Sequence, residues 1–403
     1  MILKSSLIIF SANFFAHFLN YAYHLIAGRF LIPSDLGLLE SFVALNYFLA
    51  VLISTFSLSI IHLINQTPPA KQPAVISQLQ RLSFKLTLTF WLIFLSLYPI
   101  LKPLLHLKNP YIFIIFSLQI LFSFVPTLYS GLLQAKLKFA SFSLVNLLSP
   151  IIKILSALFF FIMGLKVFGA IASLAITSLA TAIIAFLLVK KHLNLKTSKP
   201  IKLPRSFWQF SSAALITNLS LTSLYNSDIL LVRFYLPDQA GFYAAAALLV
   251  KIIFFVSAAI LTVAFPVFTL HANNLTQLKR SFSQSLFLIT AIAFLGTTVY
   301  QLYPNLIIKL FPNPAYSQAA AFLPSFSLFI FFFTLLNLFS QLLLTLDKRY
   351  AAVSSLSSAL LQLILIILFH QNLMQIIQNS IVAALAGLIV ASGVTIKLLY
   401  AKT

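Results

Sequence analysis

The sequence predicts an all-α, polytopic integral membrane protein: about twelve transmembrane helices in two parallel six-helix repeats around a central cavity. Three observations carry this expectation. Of 403 residues, 61% are hydrophobic and 8% charged, against about 45–50% and about 25% in soluble domains. The mean hydropathy of +1.04 extends over the whole chain, so the apolar residues are not confined to one anchor. A motif near residue 30 recurs near residue 234, and basic residues gather in alternate loops.

A bilayer core takes about 20 apolar residues per helix, and polar or Pro-bearing breaks divide the chain into twelve such stretches. The first spans are 5–28, which ends at Arg29, and 38–64, followed by a loop bearing Lys71, Arg81 and Lys85. Next come 86–105, 111–133 up to Lys136 and Lys138, 142–163, and 167–189, which stops at Lys190 and Lys191. A basic, Pro-containing linker, 190–206, precedes span seven at 207–232, which ends at Arg233. The rest are 242–268, 282–302 after Lys279 and Arg280, 317–345, 351–369 after Lys348 and Arg349, and 376–396. Asn13, His17 and Asn20 interrupt the first apolar run and no small-x-small site follows, so it reads as a retained span rather than a cleaved leader.

An even span number puts both termini on one side. With the N-terminus cytoplasmic, eighteen of the 26 Lys and Arg fall in cytoplasmic segments. Six lie outside (Arg29, Lys102, Lys108, Lys166, Arg233 and Lys309), and Lys153 and Lys251 lie within spans. This bias follows the positive-inside rule. It accounts for most of the +21 net charge without nucleic acid and places the excess beside anionic membrane lipids.

Zero Cys excludes disulfides and thiolate metal sites. The nine glycines never form GxxxxGK[ST] or GxGxxG, which removes the phosphate-cradling loops of ATPases and dinucleotide enzymes. The five acids, at 35, 40, 228, 238 and 347, are too scattered for a carboxylate-metal centre. No catalytic residue, metal or cofactor is expected, and a membrane glycosyltransferase or polymerase is the weakest alternative.

The repeat is the most informative feature. Arg29-Phe30-Leu31-Ile32-Pro33-Ser34-Asp35-Leu36-Gly37 and Arg233-Phe234-Tyr235-Leu236-Pro237-Asp238-Gln239-Ala240-Gly241 share Arg, Phe, Pro and Gly at an offset of 204, which also relates Tyr21 to Tyr225. A weaker match at offset 211 pairs Leu133, Lys138, Phe139 and Ala140 with Leu344, Arg349, Tyr350 and Ala351. Equivalent helices are six spans apart, an even number, so the halves share one orientation in the membrane. The expected domains are an N-terminal lobe (1–189), the linker (190–206) and a C-terminal lobe (207–403), with a substrate path between the lobes.

Polar groups inside spans cost roughly 2.5–3.5 kcal/mol for a mid-span Lys or Asp, so each needs a reason. Lys153 and Lys251 lie too deep to snorkel and should face a wet cavity or a partner. Ser6, Asn13, His17, Asn20 and His24 recur on one helical face. Further stripes are Gln119, Ser123, Pro126 and Ser130; Asn146, Pro150 and Lys153; Asn218, Thr222 and Tyr225; and Thr334, Asn337 and Gln341. Interhelical hydrogen bonding is the bland account of such stripes, and it suits isolated Ser and Thr best. Asp228, the repeat equivalent of His24, is the one carboxylate within a span and reads as an ion-coupling group or as the counter-ion of Arg233 or Lys251. Prolines 99, 126, 150, 266 and 324 mark candidate kinks.

Twelve spans, "GRFLIPSDLGLL" after span 1, its echo "VRFYLPDQAGFY" after span 7, and "LLQAKLKFA" after span 4 resemble the polysaccharide transporter or Wzx-type flippase family. That family belongs to the multidrug/oligosaccharidyl-lipid/polysaccharide exporter superfamily. The resemblance implies movement of a polyprenyl-diphosphate-linked oligosaccharide from the cytoplasmic to the outer leaflet of the bacterial inner membrane by alternating access, with polysaccharide assembly proteins as partners. It implies a cationic cavity supplied by Lys153 and Lys251, with Arg29 and Arg233 at the outer mouth and the Asn13, His17, Asn20 and His24 stripe alongside. The competing reading is a cation-coupled multidrug exporter of the same superfamily. Such exporters carry acids in their first lobe, whereas Asp35 and Glu40 are placed at the outer turn after span 1.

Overall fold

The computed structural model describes residues 2–192, 212–272, 274–311 and 313–400. Within them the chain is helical and contains no strand. In order the helices are α1 (Ile2–Phe30), α2 (Pro33–Gln66), α3 (Gln72–Ser96), α4 (Tyr98–Leu104), α5 (Pro110–Leu121), α6 (Phe124–Ala135), α7 (Phe139–Ile162) and α8 (Lys166–His192). Then come α9 (Ser212–Tyr235), α10 (Ala240–Leu270), α11 (Leu275–Leu302), α12 (Leu323–Leu346), α13 (Lys348–Leu368) and α14 (Leu373–Tyr400). Most of the linker, from 193, lies outside the described residues.

Proline chemistry sets several boundaries. Proline lacks the amide proton and clashes with the preceding turn, and the 111–133 stretch breaks into α5 and α6 just ahead of Pro126. Pro99 similarly opens α4, which is bent 55° from α3. Pro150 and Pro266 are carried inside α7 and α10, and Pro324 sits in the first turn of α12, where its missing donor costs nothing. Gly164 ends α7 with φ +77°, a left-handed cap in which Leu165 N–H donates to Phe160 O at 3.0 Å.

Short helical pieces at Pro69–Lys71, Pro304–Ile307, Ile308–Leu310 and Pro314–Phe322 aside, and with α3–α4 and α5–α6 each taken as one segment, the described residues form twelve helical segments, in rough agreement with the expected twelve spans. Nine are long and apolar enough to cross a bilayer, or ten with the bent α3–α4 pair. α1 and α9, the first helix of each repeat, fall outside that test and carry much of the polar sequence.

The distribution of side chains is that of a membrane bundle. On α13, Val353, Leu360 and Ile367 are exposed at a seven-residue spacing, while Ser354, Ser355, Ser358 and Gln362 are buried. On α11, Phe287 and Phe294 repeat the exposed spacing. Large apolar groups outside and small polar groups at helix contacts invert the soluble pattern and fit a lipid surround. The chain is therefore a multi-pass membrane protein.

Two compact units are present. The first comprises residues 1–31 and 49–211; the second comprises 32–48 and 212–403. In the first, α1 packs on α7, α7 on α8, and α8 on α5 and α6. In the second, α9 packs on α13, α10 on α12, and α12 on α14 and α11. The division differs from the expected lobes at 32–48, the start of α2, which groups with the second unit.

The repeat motif explains that grouping. A Cβ on Gly241 would lie 1.9 Å from the Pro33 carbonyl oxygen, and one on Gly37 would lie 2.9 Å from Ala240 backbone and Gly241 N. The two glycines thus let the starts of α2 and α10 approach backbone to backbone. Arg233 fastens the same junction, donating to Ser34 O at 3.2 Å and Pro237 O at 3.4 Å.

Candidate functional site

Lys153 in the first unit and Lys251 in the second, the two lysines that the sequence places within spans, are held in the same way. Lys153 is the fifteenth residue of the 24-residue α7. Its ammonium donates to Asn20 Oδ1 and sits 4.5 Å from the Tyr23 ring centroid, both on α1. Asn20 Nδ2 donates to Ala16 O at 2.9 Å, which leaves its oxygen turned to the lysine. Tyr23 is fully buried and donates its hydroxyl to Ala170 O of α8 at 2.9 Å. The ring is thereby fixed under the cation, an arrangement worth about 0.5–2 kcal/mol depending on desolvation.

Lys251 is the twelfth residue of the 31-residue α10 and is 5% exposed. It donates to Asn226 Oδ1 at 3.1 Å and lies 4.0 Å from the Tyr225 ring centroid, both on α9. Asn226 Nδ2 donates back to Thr222 O at 3.2 Å, as Asn20 does to Ala16. Asp228 and Glu40 both act electrostatically on Lys251. Asp228 is fully buried and accepts from Tyr243 Oη at 2.6 Å and Ile229 N–H at 2.8 Å.

The sequence-predicted residues divide between these groups. Asn20 and Lys153 meet directly. His24 is 8% exposed and edge-on to Tyr23, at 5.3 Å and 80°. His17 and Arg29 are exposed. The Asn13 side chain lies outside the described residues. Arg233 is 7% exposed and donates to carbonyls of the motif turns. Glu40 departs most from expectation: instead of standing at an outer turn it lies in the second turn of α2, 3% exposed, within reach of the Lys251 charge. The buried acids beside Lys251 are thus two, not one.

Sequence reasoning missed Asn226 and Tyr23 as lysine holders and Glu40 as a buried charge. A search for Asn and Tyr within one helical turn on the first helix of each repeat finds the holders. Of the other stripes, Asn218 and Gln341 join α9 to α12 at 3.5 Å. Pro126, Ser130 and Asn146 gather at one cavity inside the first unit.

The profile of the polysaccharide biosynthesis protein family matches residues 2–272, two thirds of the chain. The chain belongs to that family. No curated protein sequence matches it. Among solved structures, this polysaccharide biosynthesis protein is similar to the lipid II flippase MurJ in an inward closed conformation. That match has a TM-score of 0.79 at 14% identity, covering 97% of this chain and 89% of that one. It is also similar to a multidrug resistance MATE transporter of the MOP superfamily in the inward-facing conformation, at a TM-score of 0.73 and 13% identity, covering 94% and 95%. An outward-facing structure of a MATE transporter gives 0.69 at 15% identity, covering 98% and 96%. At these identities the likeness establishes the fold alone, which this chain shares with those MurJ and MATE structures.

Proposed function

We propose that the protein is a flippase that moves a polyprenyl-diphosphate-linked oligosaccharide from the cytoplasmic to the outer leaflet of the bacterial plasma membrane. It does so by alternating access between its two six-helix halves, with both termini cytoplasmic, in surface polysaccharide biosynthesis. The observation that carries this reading is Lys153. It is a half-buried cation near the middle of a span, held by Asn20 and Tyr23. Both of those holders are neutral side chains. A cation placed there at a cost of about 2.5–3.5 kcal/mol suits an anionic diphosphate entering from the cytoplasmic side. The lipid tail stays in hydrocarbon while only the headgroup crosses. Family membership and the lipid-linked substrate named for the MurJ neighbour support the same reading.

The site makes and breaks no bond. Tyr23 and Asn20 fix the ammonium, α7 sets its depth, and the diphosphate supplies two negative charges that compete for the lysine protons. Lys251 is assigned a structural part, because its charge already faces Asp228 and Glu40.

The test is export in cells carrying Lys153→Ala or Lys153→Arg. The alanine variant is expected to insert normally yet lose surface polysaccharide, and the arginine variant to retain part of it. Wild-type polysaccharide with Lys153→Ala overturns the assignment. One observation favours a second reading, the cation-coupled exporter: the buried Asp228, Glu40 and Lys251 group is the kind of arrangement that binds a proton or sodium ion. Folded Asp228→Asn protein that loses ion-dependent transport supports that reading.

A further inference from the structure

Within the first unit a cavity of about 480 Å³ opens between the second half of α2, α6, α7 and α8, inside the range of about 300–1,000 Å³ for small-molecule sites. Most of its exposed lining is apolar, but eight polar side chains punctuate it and none of the lining residues is Asp, Glu, Lys or Arg. Ser57 of α2, Ser130 and Gln134 of α6, Asn146 and Ser149 of α7, and Thr181 of α8 contribute, with aliphatic side chains between them. Polar groups that served only to join helices would close on one another; these leave open volume.

The hydrogen-bonding character of the lining can be read directly. Thr181 Oγ1 donates to Thr177 O at 2.7 Å, and Thr127 Oγ1, also in the lining, donates to Ser123 O at 2.9 Å. Their protons are committed to the helix backbone, so their remaining lone pairs are acceptors. The Gln134 amide brings both donors and acceptors, and the Asn146 amide, which can make up to four hydrogen bonds, adds to them. A neutral polyol matches such a surface, because every hydroxyl donates and accepts. A carboxylate or a phosphate finds no cation there, and an unpaired charge in a membrane cavity is costly.

Position connects the cavity to the lysine. Gln134 stands two residues before the Lys136 turn, and Asn146 eight residues beyond Lys138, so the cavity runs inward from that end of the helices. Asn146, Ser149 and Lys153 follow one another at i, i+3 and i+7 on one face of α7. Asn146 and Lys153 are about 10 Å apart along the axis, a separation that a diphosphate ester and an attached sugar can bridge.

We propose that this cavity is a sugar subsite, taking one or two neutral sugar units of a headgroup whose diphosphate is held at Lys153. The inference rests on the reading of Lys153 given above and adds the chemical class of the sugar: uncharged, without uronic acid or phosphate substituents on the unit that enters.

The test uses the full-length protein in nanodiscs with two probes, undecaprenyl diphosphate and undecaprenyl-diphosphate-N-acetylglucosamine, and reads their affinity ratio by native mass spectrometry. The sugar-bearing probe is expected to bind the wild type about tenfold more tightly, the change that one or two net hydrogen bonds produce. Ser149→Phe, which fills the cavity, and the near-isosteric Asn146→Leu, which guards against a folding defect in the first variant, are expected to bring the ratio close to one. Equal binding of both probes by wild type, or variants that keep the full ratio, overturns the subsite while leaving the diphosphate site standing. Failure of both probes to bind overturns the Lys153 reading and the subsite with it.

Discussion

Replacing Lys251 by Met measures what the buried charge group of the second unit contributes. Methionine keeps the length and apolar volume of the lysine stem, so the change removes the cation and little else. In the structure that cation is 5% exposed, 3.1 Å from Asn226 Oδ1, 4.0 Å from the Tyr225 ring centroid, and electrostatically coupled to Asp228 and Glu40. Removing one partner of a buried charge group costs about 3–5 kcal/mol, chiefly because the opposite charge is left uncompensated. For a unit of this size, that corresponds to a fall in unfolding midpoint of about 6–20 °C. The assay is thermal unfolding of detergent-solubilised protein for Lys251→Met, Asp228→Asn and the double variant. Neutralising Asp228 as well removes one stranded acid, so the double variant is expected to unfold above Lys251→Met alone, a positive coupling of about 1–3 kcal/mol. A Lys251→Met midpoint within about 2 °C of wild type, or strictly additive effects, refutes the claim that Lys251 is held for its charge pairing.

Three further outcomes are expected. Gly241→Ala places a methyl 1.9 Å from the Pro33 carbonyl oxygen, so the α2 and α10 starts must part by about 1 Å at a cost of about 1–3 kcal/mol. Gly393→Ala, which meets nothing within 4 Å, should be neutral or slightly stabilising by helix propensity; thermal unfolding of the pair checks both. Gln362 is fully buried and donates to Leu224 O at 3.0 Å and Ser380 Oγ at 2.9 Å. Gln362→Leu should nevertheless cost only about 0.6–1.7 kcal/mol, the range for interhelical hydrogen bonds in membranes, as read by the same assay. Because the chain has no cysteine, single Cys substitutions report topology cleanly: a membrane-impermeant maleimide should label positions 108 and 309 in intact cells and leave 138 and 348 unlabelled. The reverse pattern inverts the assigned orientation.

Much of the fold was legible because a bilayer imposes long, one-dimensional signals. Helix length, apolar runs and prolines 99 and 126 mark breaks that the structure contains. The repeat motif was visible as an offset of 204, but its role was not. Nothing in the sequence states that Gly37 and Gly241 lie against each other, because that contact joins residues two hundred positions apart. The same limit governed the charges. Lys153, Lys251 and Asp228 stood out by their cost in hydrocarbon, and Asn20 by its helical face. Glu40 did not: it lies only three residues into the expected span 38–64, close after Asp35, and so reads as part of the outer turn, whereas α2 begins at Pro33 and already carries it inside the bundle. The burial of Arg233 is hidden for the opposite reason: a charge beside a proline turn looks exposed in the sequence, whereas a backbone carbonyl of the distant first motif accepts from it in the structure.

This polysaccharide biosynthesis family member is proposed to move an anionic lipid-linked headgroup past Lys153. The direct measurement reconstitutes the protein in proteoliposomes and follows the leaflet of a fluorescent polyprenyl-diphosphate-linked oligosaccharide by quenching from outside. The expected result is protein-dependent exchange of that lipid between leaflets, lost in Lys153→Ala and retained in part in Lys153→Arg. Exchange that proceeds unchanged in Lys153→Ala, or no exchange by wild-type protein in either direction, contradicts it.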